Sequence, residues 1–101
     1  MVLFRAVLQA KNGKAVKELV TMLKGAASVI PPYQAEVLQM RILTDISGPH
    51  NTVVIETTHE NLAAVEAYRN AMFARTDVPE EADRAGDLVV SGYNEYYTIE
   101  A

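Results

Sequence analysis

Residues Val2 to Ala10, VLFRAVLQA, carry apolar side chains on both sides of an extended chain. Successive strand residues point to opposite faces, so Val2, Phe4, Ala6, Leu8 and Ala10 fall on one side and Leu3, Arg5, Val7 and Gln9 on the other. The second side is half apolar. Such a strand expects protein against both of its faces, which excludes a lone sheet with one face bare to water.

The remaining chain divides cleanly around that strand. Lys11-Asn12-Gly13 breaks it, and Asn12 is placed to cap a helix. Val16, Leu19, Val20, Leu23, Ala26, Ala27 and Ile30 recur at helical spacing, with Lys14, Lys17, Thr21 and Lys24 outside, until Pro31-Pro32 forbids continuation. Val37 to Ile46 alternates again, and Thr52 to Thr57 is β-branched apart from Glu56. The cluster between them, Ser47-Gly48-Pro49-His50-Asn51, makes the pair a hairpin. Thr57-Thr58-His59-Glu60 follows the pattern of a capping box, predicting a helix start there, with Leu62, Val65, Tyr68, Met72 and Phe73 on the inner side. A shorter helix is expected from Asp77, with Ala82, Ala85, Leu88 and Val89 inward and its end at Ser91-Gly92. Tyr93 to Ala101 is a final, aromatic-rich strand.

The main order, β-α-β-β-α-β, is the ferredoxin-like split βαβ arrangement, in the α+β class. Right-handed crossovers put both helices on one face of a four-stranded antiparallel sheet, with the first and third strands central. Residues 1–101 are expected to form one domain, and neither a linker nor a repeat interrupts them. The uncovered sheet face then carries Leu3, Arg5, Val7, Val54, Glu56 and Arg41, too apolar to stay wet and too charged for a dry core. Laying two such faces together in a homodimer resolves this. Arg5, Glu56 and Arg41 would sit on three adjacent strands with alternating charge, and Glu95 would extend the series if its strand faces the same way.

Composition removes several classes of function. Half of the residues are hydrophobic and 22% are charged, as in an ordinary soluble globular protein. No apolar run reaches the ~20 residues that span a bilayer, and Met1-Val2-Leu3-Phe4-Arg5 is not a secretory signal, so no membrane partner is expected. The absence of cysteine leaves no disulfide framework and no thiol nucleophile, which fits a cytoplasmic setting. The net charge of −4 argues against a nucleic-acid partner, and Thr52-Val53-Val54-Ile55-Glu56-Thr57 lacks the aromatic motif of RNA-binding domains with this topology. Charge is uneven: residues 1–44 sum to +4 and residues 45–101 to −8, and all four lysines lie on or just before the first helix. That pattern is ordinarily a solvated helix face.

The stretch Thr57-Thr58-His59-Glu60-Asn61-Leu62-Ala63-Ala64-Val65-Glu66-Ala67-Tyr68 and the closing Gly92-Tyr93-Asn94-Glu95-Tyr96-Tyr97-Thr98-Ile99 resemble the dimeric α+β barrel superfamily. The similarity is to its NIPSNAP-like and antibiotic-biosynthesis-monooxygenase-like members, and at the level of pattern it spans nearly the whole chain. It implies a dimeric barrel and a cleft between sheet and helices. Members include cofactor-independent oxygenases, haem-degrading enzymes and small isomerases. The oxygenase and haem-degrading members place Trp, Asn or His residues in the cleft. This chain has no tryptophan and its Asn and His residues do not match those positions, so no catalytic residue is carried over.

The residues themselves offer few reactive groups. Neither His50, in the hairpin turn, nor His59, at the helix start, stands at metal-ligand spacing, so no metal and no tightly held cofactor are expected. His59 is the one catalytic candidate, as a base at a helix N-terminus. Phe4, Met40, Tyr68, Met72, Phe73 and Tyr97 would line an apolar cleft if Tyr97 faces the helices, though a plain core with aromatic edges is the commoner explanation of such a set. The function expected is a small homodimer that binds a partly apolar organic molecule in that cleft. The alternatives are a cofactor-independent monooxygenase or isomerase there, and a structural or regulatory dimerisation module.

Overall fold

The computed structural model describes residues 1–29, 37–47, 50–73 and 86–101, with the backbone alone at 26–29 and 71–73. Of the expected short helix, the part from Asp77 to residue 85 lies outside the described residues, as do the side chains of Met72 and Phe73.

Strand β1 is Val2–Ala10, helix α1 is Gly13–Val29, strands β2 and β3 are Gln39–Thr44 and Thr52–His59, helix α2 is Leu62–Phe73, and strand β4 is Val89–Thr98. The strands form one antiparallel sheet in the order β2-β3-β1-β4, with β1 and β3 central as the topology requires. This is the ferredoxin-like α+β arrangement with the helices on one face.

Side-chain chemistry sets the helix ends. The Asn12 Oδ1 accepts the Ala15 N–H at 2.8 Å, relieving one of the amides left open at the start of α1. Asn61 does the same for the Ala64 N–H at 2.9 Å. The start of α2 therefore corrects the expected capping box. Thr57 is a strand residue, not a cap, because β3 keeps pairing with β1 as far as Val2 opposite His59. The ladder hydrogen bonds hold the chain extended for two residues past Thr57, and the first side chain free to cap belongs to Asn61.

The other boundaries shift for similar reasons. Strand β2 covers Gln39–Thr44 rather than Val37 to Ile46, and at its end the Asp45 side chain accepts the Thr52 N–H at 2.9 Å. Strand β4 begins at Val89, not Tyr93, so Ser91 and Gly92 lie inside a strand rather than closing a helix. The Lys11 N–H donates to the Leu88 carbonyl at 3.0 Å and Ala10 pairs with Val89, drawing this segment onto the sheet. A register shift between Gln9 and Ala10 absorbs the extra residue, Val90.

The helix face carries two apolar clusters. Ala10, Ala15, Leu19, Val53 and Leu88 are buried beneath α1, with Val16, Val20, Met22, Leu23 and Ile42 packed around them. Phe4, Val65 and Tyr68 are buried beneath α2, with Val2, Ala6 and Val37 alongside.

Candidate functional site

The register of the sheet decides which side chains share a face. On the face away from the helices, Arg41 of β2 pairs with Glu56 of β3, Glu56 with Arg5 of β1, and Arg5 with Glu95 of β4. Four charges of alternating sign therefore cross the sheet in one row. The Arg5 Nε lies 3.0 Å from Glu56 Oε2, and its Nη1 donates to Glu95 Oε1 at 3.3 Å. The Arg41 guanidinium donates to Glu56 Oε1. The Arg5 Nε is shielded from solvent and out of hydrogen-bond alignment, so its link to Glu56 is electrostatic. Two flanking guanidiniums bury Glu56 to 7% exposure. Beside this row, Leu43, Val54, Val7 and Tyr93 form an apolar row, and Gln39, Thr58, Leu3 and Tyr97 a mixed one.

Glu95 settles the facing of β4. Because it opposes Arg5, Tyr97 lies opposite Leu3 on the open face and donates to Glu95 Oε2. Tyr97 therefore does not join Tyr68 on the helix side. Tyr96 does: it opposes Phe4, with ring centroids 5.1 Å apart, and accepts a hydrogen bond from Arg69 Nη1 at 2.9 Å. Alternation from the Arg5–Glu95 pairing is the signal that identifies Tyr96, and the run Tyr96-Tyr97 hides it because either tyrosine suits an apolar face.

His59 ends β3 instead of preceding a helix, and it is fully buried. Its Nε2 is 2.7 Å from the Thr57 Oγ1, and its ring centroid is 5.3 Å from that of Tyr68. Tyr68 in turn meets Phe4 edge-on at 6.5 Å. The structure brings Phe4, Tyr68 and Met40 to the helix side, since Met40 pairs with Thr57 and Thr57 with Phe4. Phe4 and Tyr68 are packed core residues there.

Open space lies elsewhere on the helix side. A groove of about 590 Å³ runs between α1 and the hairpin of β2 and β3, with Val16, Val20 and Ile46 as its apolar lining and Lys17, Asp45 and His50 among its polar groups. The hairpin end is tied to the end of β1 by one backbone and one side-chain hydrogen bond. The Ala10 N–H donates to the Asn51 carbonyl at 2.8 Å, with Asn51 at φ 64°, and the Gln9 amide donates to the His50 carbonyl. A smaller groove of about 270 Å³ lies on the open face between Arg5, Val7, Val54 and Tyr93. Among the described residues, His, Asp and Glu nowhere gather in threes as a metal site, and no helix is long and apolar enough to cross a membrane.

No family model matches this sequence, and no curated protein matches it. Solved structures do. An uncharacterised NIPSNAP-domain protein from Burkholderia xenovorans superimposes with a TM-score of 0.80 at 17% identity, over 100% of this chain and 96% of that one. The chain has the NIPSNAP-like fold. A Deinococcus radiodurans protein named for the antibiotic-biosynthesis monooxygenases shares this fold at TM-score 0.70 and 21% identity, covering 100% and 94% of the two chains. An Arg-to-Ser variant of MhuD, with two manganese protoporphyrin IX molecules bound per active site, matches at TM-score 0.76 and 18% identity, covering 100% and 96%. NIPSNAP-like and monooxygenase-like chains thus share one scaffold, and a scaffold leaves its chemistry to the individual site.

Proposed function

We propose that this chain is a small cytoplasmic homodimer, one domain per protomer, that binds a partly apolar organic molecule between sheet and helices. The observation that carries the reading is the groove beside α1. Its volume falls within the range of small-molecule sites, and it sets Val16 and Val20 beside the polar groups of Lys17, Asp45 and His50. A flat apolar body bearing one acid group suits that lining. The aromatic set of Phe4, Tyr68 and His59 packs beneath α2, towards the end of β1 and β3 away from the groove, and does not line it. Pairing through the open face is supported by its apolar row and by the buried Glu56, features that water serves poorly.

The test uses 2-naphthoic acid as probe. Titration into the labelled protein should shift amide resonances of Val16, Lys17, Val20 and Asn51, and Val20→Trp should abolish the shifts by filling the groove. Shifts confined to Phe4, Tyr68 and Tyr96 would move the site, and none at millimolar probe would leave a dimerisation module. Light scattering should give about twice 11.1 kDa, and a monomer would overturn the homodimer. A second reading, a cofactor-independent monooxygenase or isomerase in the same cleft, draws on His50 and Asp45, which place an imidazole and a carboxylate in one groove. Oxygen uptake with a naphthoquinol, lost in His50→Ala, would favour it.

A further inference from the structure

The groove beside α1 has two walls of opposite sign. Among the described residues, Lys17 is the one lysine or arginine that lines it, and Asp45 is the one carboxylate. Lys17 belongs to the α1 wall and Asp45 to the hairpin wall. Neither joins an ion pair among the described residues, so the two charges share one cavity without closing on each other.

On the α1 wall, the ammonium is the donor that a ligand meets. Thr21, one turn further on, donates its hydroxyl proton to the Lys17 carbonyl at 3.0 Å. Gly13, the first residue of α1, lines the same wall, and the positive end of the helix adds to the sign of Lys17. An ammonium donates and cannot accept, so this wall calls for an anion. Val16 and Val20 supply the apolar surface beside it.

The hairpin wall calls for the reverse. The Thr52 N–H donates to Asp45 Oδ1 at 2.9 Å, and the Asp45 N–H donates to the Thr52 carbonyl at 3.3 Å. That ring fixes the half-buried carboxylate by one oxygen and leaves Oδ2 without a partner among the described residues. The Thr52 hydroxyl in turn donates to Gln9 Oε1 at 3.4 Å, and the Gln9 amide holds the His50 carbonyl. The wall is thus tied to β1 before a ligand arrives, and ordering it costs the complex little. Asp45 stands at the rim, where this groove and the smaller one on the open face meet. A carboxylate accepts and cannot donate, so it holds an amine and repels a second acid group.

We propose, on the reading of this groove as the binding site, that its ligand is amphoteric: a flat apolar body with an acid group at Lys17 and a protonated amine at Asp45. The two charges set the direction of the ligand as well as its class. Reversal brings like charge against like at both ends.

Three probes that share one body separate the two ends. 2-Naphthoic acid carries the acid alone, 6-(aminomethyl)-2-naphthoic acid adds the amine, and naphthalene-2,6-dicarboxylic acid adds a second acid instead. Calorimetric titration of the parent should show the aminomethyl acid binding about tenfold tighter than 2-naphthoic acid, the effect of one charge-assisted hydrogen bond. The diacid should bind no tighter than 2-naphthoic acid. Asp45→Asn, which keeps the oxygen that Thr52 uses, should bring the three within about threefold of one another. Lys17→Met should weaken all three. An aminomethyl acid no tighter than 2-naphthoic acid, or an advantage that survives Asp45→Asn, would overturn the amphoteric ligand and leave the groove standing. Failure of every probe to bind would overturn the groove, and this ligand with it. Should Asp45→Asn fail to fold, direction is read on the parent. Nuclear Overhauser contacts of the aminomethyl protons should reach Thr44 and Ile46, and those of the ring protons beside the acid should reach Val16 and Thr21. The reverse pattern would overturn the proposal.

Discussion

The Arg5 Nε lies 3.0 Å from Glu56 Oε2 across the central pair of strands, and that carboxylate is also held by Arg41. One buried anion thus holds two cations together on three strands. Its removal leaves those cations close to each other with no partner. Glu56→Ala should lower stability by about 3 kcal/mol, at the lower end for breaking a buried pair because Arg41 is itself largely exposed. Assembly should weaken with it. Glu66→Ala, on the exposed side of α2, should change stability by no more than about 0.5 kcal/mol. Adding Arg41→Leu to Glu56→Ala should return part of the loss. Chemical denaturation of the four proteins checks this, and a parental midpoint for Glu56→Ala would show that the row is not coupled.

Tyr97 donates to Glu95 beside Arg5, and this hydrogen bond to a carboxylate, with burial and the Glu95 charge, raises its pKa above the ordinary tyrosine value of 10.0 despite the opposing pull of Arg5. A pKa raised in the folded state means that the protonated phenol favours the fold. The contribution is present below the unfolded value and is lost as pH rises through the folded one. Ultraviolet difference titration of the parent against Tyr97→Phe should place the Tyr97 ionisation above the ordinary tyrosine value. Glu95→Gln should lower it.

Gly92 marks a close approach between strands. A Cβ there would lie 3.0 Å from Leu8 Cδ2 and 3.1 Å from the Val7 carbonyl oxygen, and backbone cannot give way cheaply. Gly92→Ala should destabilise by about 1–3 kcal/mol. Gly25 in α1 has nothing within 4 Å of its would-be Cβ, so Gly25→Ala should stabilise by about 0.5–1 kcal/mol. Opposite shifts in melting temperature check the pair.

The true cap of α2 separates two residues that sequence pattern treats as one motif. Asn61→Ala should cost about 1 kcal/mol, and Asn12→Ala a similar amount at α1. Glu60→Ala should be near neutral, because Glu60 is exposed and β3 has only just ended before it. A loss in Glu60→Ala equal to that in Asn61→Ala would restore the capping box.

Periodicity determined the order of elements, and with the handedness of the split βαβ arrangement it determined the sheet order and the company of Arg5, Glu56 and Arg41. Alternation is a local property, and once β1 and β3 are neighbours their polar residues on the second face must share it. Asn12 was legible as a cap for the same reason, since its role depends on the next three residues only. What only the tertiary structure decided were matters of pairing at a distance. Whether β3 stops at Thr57 or at His59 depends on Val2, and that choice turned His59 from a helix-end base into a buried partner of Thr57. Whether Tyr96 or Tyr97 faces the helices depends on Glu95 meeting Arg5, 90 residues away in sequence. The groove beside α1 lay beyond reach altogether, because its walls come from a helix and a hairpin whose separation no single segment encodes.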